Sequence, residues 1–409
     1  MVGGGIFAVL GLAVYLAKGA TPVAFLFAGI IALSTTYAYI KLSISYPDDG
    51  GMVRFINEGF GINVLSGGIN NLLWVSYIIM LALYATAFGS YAPNLYSITG
   101  DTTVDVHIYT SLIIVISTLI NYYSIKIVGE IESTAVVIKL IILVAFVIIG
   151  FIGIKSNVNF SQLDPSSWES PIQIIAGGMV IFVAYEGFEL IANSSKDIKN
   201  PKRNIPLAYL ISVIFVVLLY LAISIVTVGT LAFADIAKAQ DYVLAEAAKP
   251  KLGQMGFTII TIAALISTFS AINATLLGGS RVNYTVAKDD ELPSYFTKQF
   301  HGKPIGLAII MIATLVIANT MNLDSISTSG SIGFLLVFAA VNWVAIKKSR
   351  EINGNKIISS FAFLLTFMAL IVLILQQSSS NLTGVLIPLG IIVFCFIGEW
   401  IFKRQFITK

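Results

Sequence analysis

Long apolar segments recur along the whole chain, and they restrict its fold more than any other feature of the sequence. A transmembrane helix needs about 20 consecutive apolar residues, because the hydrocarbon core of a bilayer is about 30 Å thick. Runs of this length follow one another from the first residues to the last, and only 11% of the 409 residues are charged. Soluble domains carry about 25% charged residues. The sequence therefore predicts a polytopic membrane protein.

The apolar runs define twelve predicted spans, of which the first is short. Backbone polar groups must find their hydrogen-bond partners within the lipid, and the runs are too long for barrel strands, so we expect an all-α fold. The spans lie near residues 2–17, 21–44, 64–97, 106–125, 129–154, 172–195, 205–229, 252–283, 304–321, 325–346, 357–376 and 383–402.

Lysine and arginine are unevenly divided between the two sides of the predicted bundle. If the loop at 45–63 faces the cytoplasm, eighteen of the 24 basic residues lie on that side, five lie on the other, and Lys139 lies within a span. Cytoplasmic loops carry an excess of basic residues, so both ends of the chain are expected in the cytoplasm. On the outer side, residues 231–251 are predicted to form a short amphipathic helix.

Few residues of the chain are suited to catalysis or to metal binding. The sequence has one cysteine, Cys395, and two histidines. A single cysteine excludes a disulfide within the chain and a cysteine-built metal site. Both histidines, His107 and His301, fall in connecting segments, which leaves no His pair for metal binding and no Ser/His/Asp arrangement in the membrane. We expect no enzyme activity, no cofactor, no metal and no nucleic-acid partner.

The sixth span carries acidic residues where hydrocarbon is expected. Glu186, Gly187 and Glu189 interrupt the apolar run. A carboxylate inside a membrane span is costly, so by default it marks a pathway or a binding site. Gly187 is a natural place for the helix to break. The alternative is a tilted helix in which the glycine makes a packing contact.

Three successive glycines, Gly3, Gly4 and Gly5, open the first span. Glycine disfavours helix, and the free N–H groups at the start of the helix that follows attract a carboxylate. This break and the break in the sixth span occupy corresponding positions in two halves of five spans. Such a pair indicates an inverted-repeat transporter with a site near the membrane midplane, although close helix packing explains either glycine segment alone.

Lys139 lies in the fifth span, ten residues after Gly129, or about 15 Å along the helix. Its ammonium cannot easily reach water from there. Because a buried ammonium is costly to desolvate, the group is a candidate for binding and releasing a proton during transport. Alternatively, Glu186, Glu189 or helix-end carbonyl groups hold it permanently.

Polar residues recur at intervals of three in the eighth span. Ser267, Ser270 and Asn273 therefore lie on one helical face. A polar stripe of this kind faces either a partner helix or a cavity, and both interpretations are open.

Four segments, in order, resemble motifs of the amino acid–polyamine–organocation superfamily of secondary transporters. They are MVGGGIF at 1–7, FVAYEGFE at 182–189, NPKRNIP at 200–206 and AKDDELP at 287–293, the last with Asp290 in place of a usual glycine. The resemblance covers nearly the whole chain. It implies a single LeuT-like transmembrane domain, with a first repeat at 1–154, a second, inverted repeat at 172–346 and two additional helices at 357–402.

The resemblance also implies a function, which is transport of amino acids or related amines across the plasma membrane by alternating access. The substrate carboxylate would bind backbone N–H groups at Gly3, Gly4, Gly5 and Ile6. Its amino group would bind the broken stretch of the sixth span, at Phe182, Ala184, Glu186 and Gly187.

By the same resemblance, Lys139 matches the lysine of proton-coupled, sodium-independent members, whose ammonium takes the place of a sodium ion. Ser267 and Ser270 would lie beside it. The expected partners are thus a small-molecule substrate, a proton and the lipid bilayer. A polyamine or amino acid/amine exchanger is an alternative, and a non-transporting membrane substrate sensor is an alternative of another class.

Two features depart from the family pattern. Members carry a half-helix before the glycine motif, whereas this sequence begins at Met1, inside it, so we expect a truncated first helix; a nonfunctional remnant is the alternative. Glu186 occupies a position that is often apolar. If its side chain faces the pocket, a cationic substrate gains a partner; if it turns away, it would pair with Lys139 or be protonated.

Overall fold

The computed structural model describes residues 1–123, 125–292, 299–300 and 303–406, and the side chains of these ranges except at 125–132, 299–300, 303–304 and 405–406. The end of the 287–293 motif lies outside these residues. The α-helices are α1 (Gly5–Ala17), α2 (Thr21–Ser45), α3 (Met52–Phe60), α4 (Val64–Tyr91), α5 (Thr102–Tyr123), α6 (Ile125–Phe151), α7 (Pro171–Val180), α8 (Pro201–Thr230), α9 (Phe233–Lys238), α10 (Val243–Glu246), α11 (Lys249–Lys288), α12 (Ile305–Thr320), α13 (Leu323–Lys347), α14 (Lys356–Ser380) and α15 (Leu382–Phe406).

Shorter elements connect these helices. Two-residue strands, Gln299–Phe300 and Lys303–Pro304, pair antiparallel with Gln299 opposite Pro304. The 3₁₀ segments are Ala92–Asn94, Ile154–Ser156, Val158–Leu163, Pro165–Ser167, Ile181–Tyr185, Glu189–Asp197 and Gln240–Tyr242.

The predicted membrane spans are found as helices. Within the described residues, ten helical segments are long and apolar enough to cross a membrane, and α1 and α12 are shorter apolar helices of 13 and 16 residues. Together they occupy the twelve predicted positions. The all-α, polytopic fold is confirmed.

Two connections differ from the sequence prediction. The loop at 45–63 contains α3, which buries Met52, Val53 and Phe55 and exposes Arg54, as expected of an amphipathic helix lying on the bundle. The segment 231–251 was predicted as one helix but forms α9, a 3₁₀ turn and α10. Within the 3₁₀ turn, the backbone at Gln240 packs directly against Gly11 on α1, a contact that sequence periodicity does not show.

The sixth span breaks where the sequence predicts it. Helix α7 ends at Val180 and continues as a 3₁₀ turn; Glu186 is then extended, with φ −60° and ψ 153°. Gly187 has φ +112°, a conformation that glycine adopts at little cost. The helical path resumes as 3₁₀ turns at Glu189–Asp197.

Aromatic side chains fill the core next to this break. The ring of Phe188 lies 5.3 Å from that of Tyr39 on α2 and 5.2 Å from that of Phe338 on α13, between ring centroids. Tyr209 on α8 is 6.4 Å from Phe188. Aromatic pairs at these separations are favourable, so three helices hold the residues that follow Gly187 in place.

The contact between Gly11 and Gln240 gives a test of this packing. A Cβ atom at Gly11 would lie 2.1 Å from the carbonyl oxygen of Gln240. Because the obstacle is backbone, Gly11→Ala should destabilise the protein by about 1–3 kcal/mol, as overpacked cores do. The measurement is the midpoint of thermal unfolding in detergent.

Gly390→Ala in α15 is the control, because a Cβ there meets nothing within 4 Å. Alanine favours helix over glycine by about 0.8–1.0 kcal/mol, so this variant should unfold at the same temperature or slightly higher. Equal midpoints for Gly11→Ala and the unmodified protein would contradict the close contact.

Candidate functional site

The start of α1 lies against the break in the sixth span. Gly3, Gly4 and Gly5 are buried, and the N-cap residue of α1 is Gly4, which has no side chain to cap the helix. A Cβ atom at Gly5 would lie 2.7 Å from the Cα atom of Ala184 and 3.2 Å from its carbonyl oxygen. Only glycine permits this approach, so the two predicted breaks meet in the fold.

A cavity of about 240 Å³ opens beside this meeting point. Of the residues predicted from sequence, it brings together Gly3, Lys139, Glu186, Gly187 and Ser270. The full lining is Met1, Val2, Gly3, Tyr84, Val136, Lys139, Leu140, Glu186, Gly187, Leu190, Ser212, Phe215, Val216, Ser270, Ala271, Ala274 and Thr275.

The remaining predicted site residues are buried and do not line this cavity. They are Gly4, Gly5, Ile6, Phe182, Ala184 and Ser267. Gly4 is covered by side chains, because a Cβ there would lie 2.6 Å from Cδ1 of Tyr84 and 3.0 Å from Cγ2 of Thr268. The cavity thus reaches the glycine segment at Gly3, whereas the next residue, Gly4, is covered by the side chains of Tyr84 and Thr268.

The polar stripe of α11 meets three different partners. Ser267 donates a hydrogen bond to the carbonyl oxygen of Gly3 at 2.9 Å. Ser270 accepts one from Lys139 Nζ at 3.4 Å, and Asn273 Oδ1 accepts one from Asn121 Nδ2 on α5 at 2.6 Å. The stripe therefore both borders the cavity and joins helices.

Lys139 lies near the middle of α6 with only 2% of its surface exposed. Its ammonium points toward α11, where Ser270 accepts its hydrogen bond, and the side chain forms part of the cavity wall. Lys139 is therefore in contact with a hydroxyl group on the eighth span.

Glu186 is one of the residues that line the cavity. The residue is 2% exposed, and its carboxyl group accepts a hydrogen bond from the hydroxyl of Tyr84 at 3.0 Å. Glu189, on the other side of Gly187, is fully buried and accepts a 2.6 Å hydrogen bond from the backbone N–H of Gly187.

Sequence reasoning missed Tyr84. It lies on α4, where its ring covers Gly4 and its hydroxyl holds Glu186. A tyrosine in an otherwise apolar span gave only a weak signal, because tyrosines are also common packing residues in such helices. Its pairing with Glu186 depends on how α4 packs against α1 and the sixth span.

The fold and this cavity together define a class of protein. The start of α1 and the interrupted sixth span meet beside a small cavity that is lined by Lys139 and Glu186. This arrangement, in a polytopic all-helical bundle, is that of secondary transporters, in which unwound helix segments bind the substrate.

Comparison with known proteins identifies the family. The family model described as amino acid permease matches residues 1–397, and the chain belongs to this family. It is accordingly a membrane transporter for amino acids and not an enzyme.

Similar proteins come from archaea and bacteria. The chain is 33% identical to an uncharacterized protein of Methanocaldococcus jannaschii, over 99% of this chain and 94% of the relative. It is 31% identical to the inner membrane transport protein YbaT of Escherichia coli, with the same coverage. A methylthioribose transporter of Bacillus subtilis is 25% identical over 87% of this chain and 80% of its own length.

The contact between Gly5 and Ala184 predicts the effect of a substitution. Gly5→Ala should push the start of α1 away from the broken stretch, because the obstructing atoms are backbone. The overpacking cost is about 1–3 kcal/mol. If this cost reduces the free energy of amino acid binding, the affinity should fall about 5- to 150-fold. Calorimetry of the purified protein measures this change.

Gly390→Ala is again the control, since it adds the same methyl group to a helix with no neighbour within 4 Å. Its affinity should equal that of the unmodified protein. Unchanged affinity in Gly5→Ala would show that the junction of the two breaks has no part in binding.

Proposed function

We propose that this protein imports amino acids across the plasma membrane together with a proton and without sodium, by alternating access. The observation that carries the proposal is the buried ammonium of Lys139, which borders the cavity and donates a hydrogen bond to Ser270. A charged group at that depth is costly. Binding and release of a proton by Lys139 in each transport cycle would couple proton movement to amino acid import.

The substrate is expected where the two breaks meet. The backbone at the start of α1, from Gly3 to Ile6, is suited to a carboxylate because a helix N-terminus carries partial positive charge. Carbonyl groups of the stretch from Phe182 to Gly187 are suited to an ammonium. The contact between Gly5 and Ala184 supports a single site that holds both ends of an amino acid.

Coupling would follow from the link between Lys139 and the glycine segment. Lys139 contacts Ser270, and Ser267, three residues earlier on α11, donates to the carbonyl oxygen of Gly3. A change in the charge of Lys139 would therefore act on the helix that holds the start of the substrate site. In this proposal the ammonium provides the positive charge that a sodium ion provides in sodium-coupled transporters.

The location and orientation belong to the same proposal. The Escherichia coli relative is described as an inner membrane transport protein, which supports the plasma membrane. The excess of lysine and arginine on the side of the 45–63 loop supports cytoplasmic termini.

An amino acid/amine exchanger is a second candidate, and the position of Glu186 favours it. A carboxyl group on the cavity wall would bind an additional amine on the substrate. Counterflow separates the two functions, because an exchanger takes up labelled substrate only into vesicles preloaded with substrate.

Substitution of Lys139 tests the coupling. In proteoliposomes, Lys139→Ala should abolish amino acid accumulation driven by an inward proton gradient, because the alanine cannot bind a proton. Facilitated equilibration of substrate should remain. Accumulation is measured with radiolabelled amino acids, with and without an ionophore that collapses the gradient.

Lys155→Ala is the control, since Lys155 follows the same helix and is exposed. It should accumulate substrate normally. Replacing external sodium with choline should leave uptake unchanged in the unmodified protein and in Lys155→Ala. Proton-driven accumulation in Lys139→Ala would refute the coupling role, and a requirement for sodium would refute the proposed ion.

A further inference from the structure

A second cavity, of about 330 Å³, lies between α4 and α15. It shares no lining residue with the cavity beside α1. Much of its wall is apolar, with Trp74 on α4 and Phe394 and Phe402 on α15. Three polar residues also line it: Asn71 on α4, Glu291 just after α11, and Glu399 on α15. The proposed transport mechanism uses none of these residues.

Both carboxyl groups of this cavity are buried, since Glu291 and Glu399 are each 1% exposed. The two oxygen atoms of Glu291 accept hydrogen bonds from neutral groups, Ser66 Oγ at 3.0 Å and Asn70 Nδ2 at 2.6 Å. Glu399 Oε2 accepts one from Asn71 Nδ2 at 3.1 Å. Lys403 Nζ lies 3.3 Å from Glu399 Oε1.

One lysine thus faces two carboxyl groups in the described part of the chain. The ion pair with Lys403 balances the charge of Glu399, and the hydrogen bonds to Glu291 bring no positive charge with them. A buried charge is costly unless a partner of opposite sign neutralises it. The cavity is therefore complementary to a ligand with one positive charge.

Two buried oxygen atoms on the same wall lack a hydrogen-bond donor. Asn71 is 8% exposed, and neither its Oδ1 nor Glu399 Oε1 accepts a hydrogen bond from the residues that the structure describes. Buried acceptors are normally paired with a donor. A primary ammonium group has three N–H donors, so it fits both oxygen atoms, whereas a quaternary ammonium group has none.

The cavity faces the membrane. Phe394 and Ile401 line it and are 75% and 43% exposed on α15, which is one of the candidate membrane spans. Glu399 lies seven residues before Phe406, the last residue of α15, or about 10 Å from the helix end. This position is close to the lipid head groups on the side of the 45–63 loop, because a bilayer core is about 30 Å thick. A lipid can reach it from the bilayer.

We propose that this cavity binds a phospholipid whose head group ends in a primary ammonium, as in phosphatidylethanolamine. The ammonium group lies against Asn71 and Glu399, and the acyl chains lie along Phe394 and Phe402. The negative charge selects a cationic head group, and the two acceptor oxygens select one that carries N–H groups. This lipid site does not depend on the transport proposal.

Trp74 serves as a reporter for the site, because lipids with brominated acyl chains quench the fluorescence of a nearby indole. The protein has four tryptophans, so the test uses the full-length chain with Trp168→Phe, Trp343→Phe and Trp400→Phe, in phosphatidylcholine vesicles. Brominated phosphatidylethanolamine should reach half-maximal quenching at a mole fraction about tenfold lower than brominated phosphatidylcholine with the same chains, or about 1.4 kcal/mol. Equal curves would overturn the proposal.

Glu399→Gln assigns the preference to this cavity. The variant leaves one carboxyl group and one lysine, so the charges balance and the two lipids should quench about equally. Glu246→Gln is the matched control, since Glu246 pairs with Lys249 at 2.8 Å and lies outside the cavity. It should keep the tenfold preference. Full preference in Glu399→Gln, or its loss in Glu246→Gln, would refute the assignment.

The unmodified protein provides a second measurement if a variant fails to fold. It is reconstituted with equal amounts of phosphatidylethanolamine and its mono-, di- and trimethylated forms, and mass spectrometry counts the lipids that remain bound after gel filtration. Retention should fall with each N–H group that is lost, and equal retention would overturn the proposal. Displacement of brominated phosphatidylethanolamine by free ethanolamine would show that a soluble amine is the ligand, which would also overturn it. Neither measurement involves transport, so failure of this proposal and failure of the coupling proposal are observed separately.

Discussion

The close contact between Gly5 and Ala184 is the constraint on which the rest of the site depends. It brings the first turn of α1 to within van der Waals distance of an unwound stretch of the sixth span. Unpaired backbone groups are tolerated in a membrane protein only where protein or a water-filled cavity surrounds them. The meeting of the two breaks encloses these groups and leaves a small cavity at their edge, where the charged side chains lie.

Neighbouring helices supply what this junction needs to be stable. The α4 helix covers Gly4 with the ring of Tyr84, and α11 binds the carbonyl oxygen of Gly3 through Ser267. Rings from α2, α8 and α13 surround Phe188. A packed core changes between discrete arrangements and does not deform continuously. Movement at the junction is therefore expected to involve whole helices, as the proposed alternating-access mechanism would require.

Three charged groups of the apolar interior lie around the same place. Lys139, Glu186 and Glu189 are all buried, and two of the three border the cavity. Burial of such groups does not by itself stabilise the fold, because the free-energy cost of desolvation offsets much of what their contacts contribute. Their accumulation beside the cavity fits the proposed function, since a protein that moves charged substrates and protons would need such groups.

Much of the fold and part of the site were predictable from the sequence. The spans, the break at Gly187 and the depth of Lys139 follow from local properties: the length of apolar runs, the conformational freedom of glycine and the number of residues along a helix. The sequence did not show that the hydroxyl of Tyr84 binds the carboxyl group of Glu186, and it predicted one helix where α9 and α10 form.

By itself, then, the sequence determined the all-helical membrane architecture and the residues at which helices break, because both depend on neighbours along the chain. The tertiary structure alone decided that the start of α1 meets the broken stretch of the sixth span and which residues share the cavity. These properties depend on contacts between residues far apart in sequence, such as Tyr84 and Glu186 or Gly3 and Ser267. Only the packing of the helices brings such residues together.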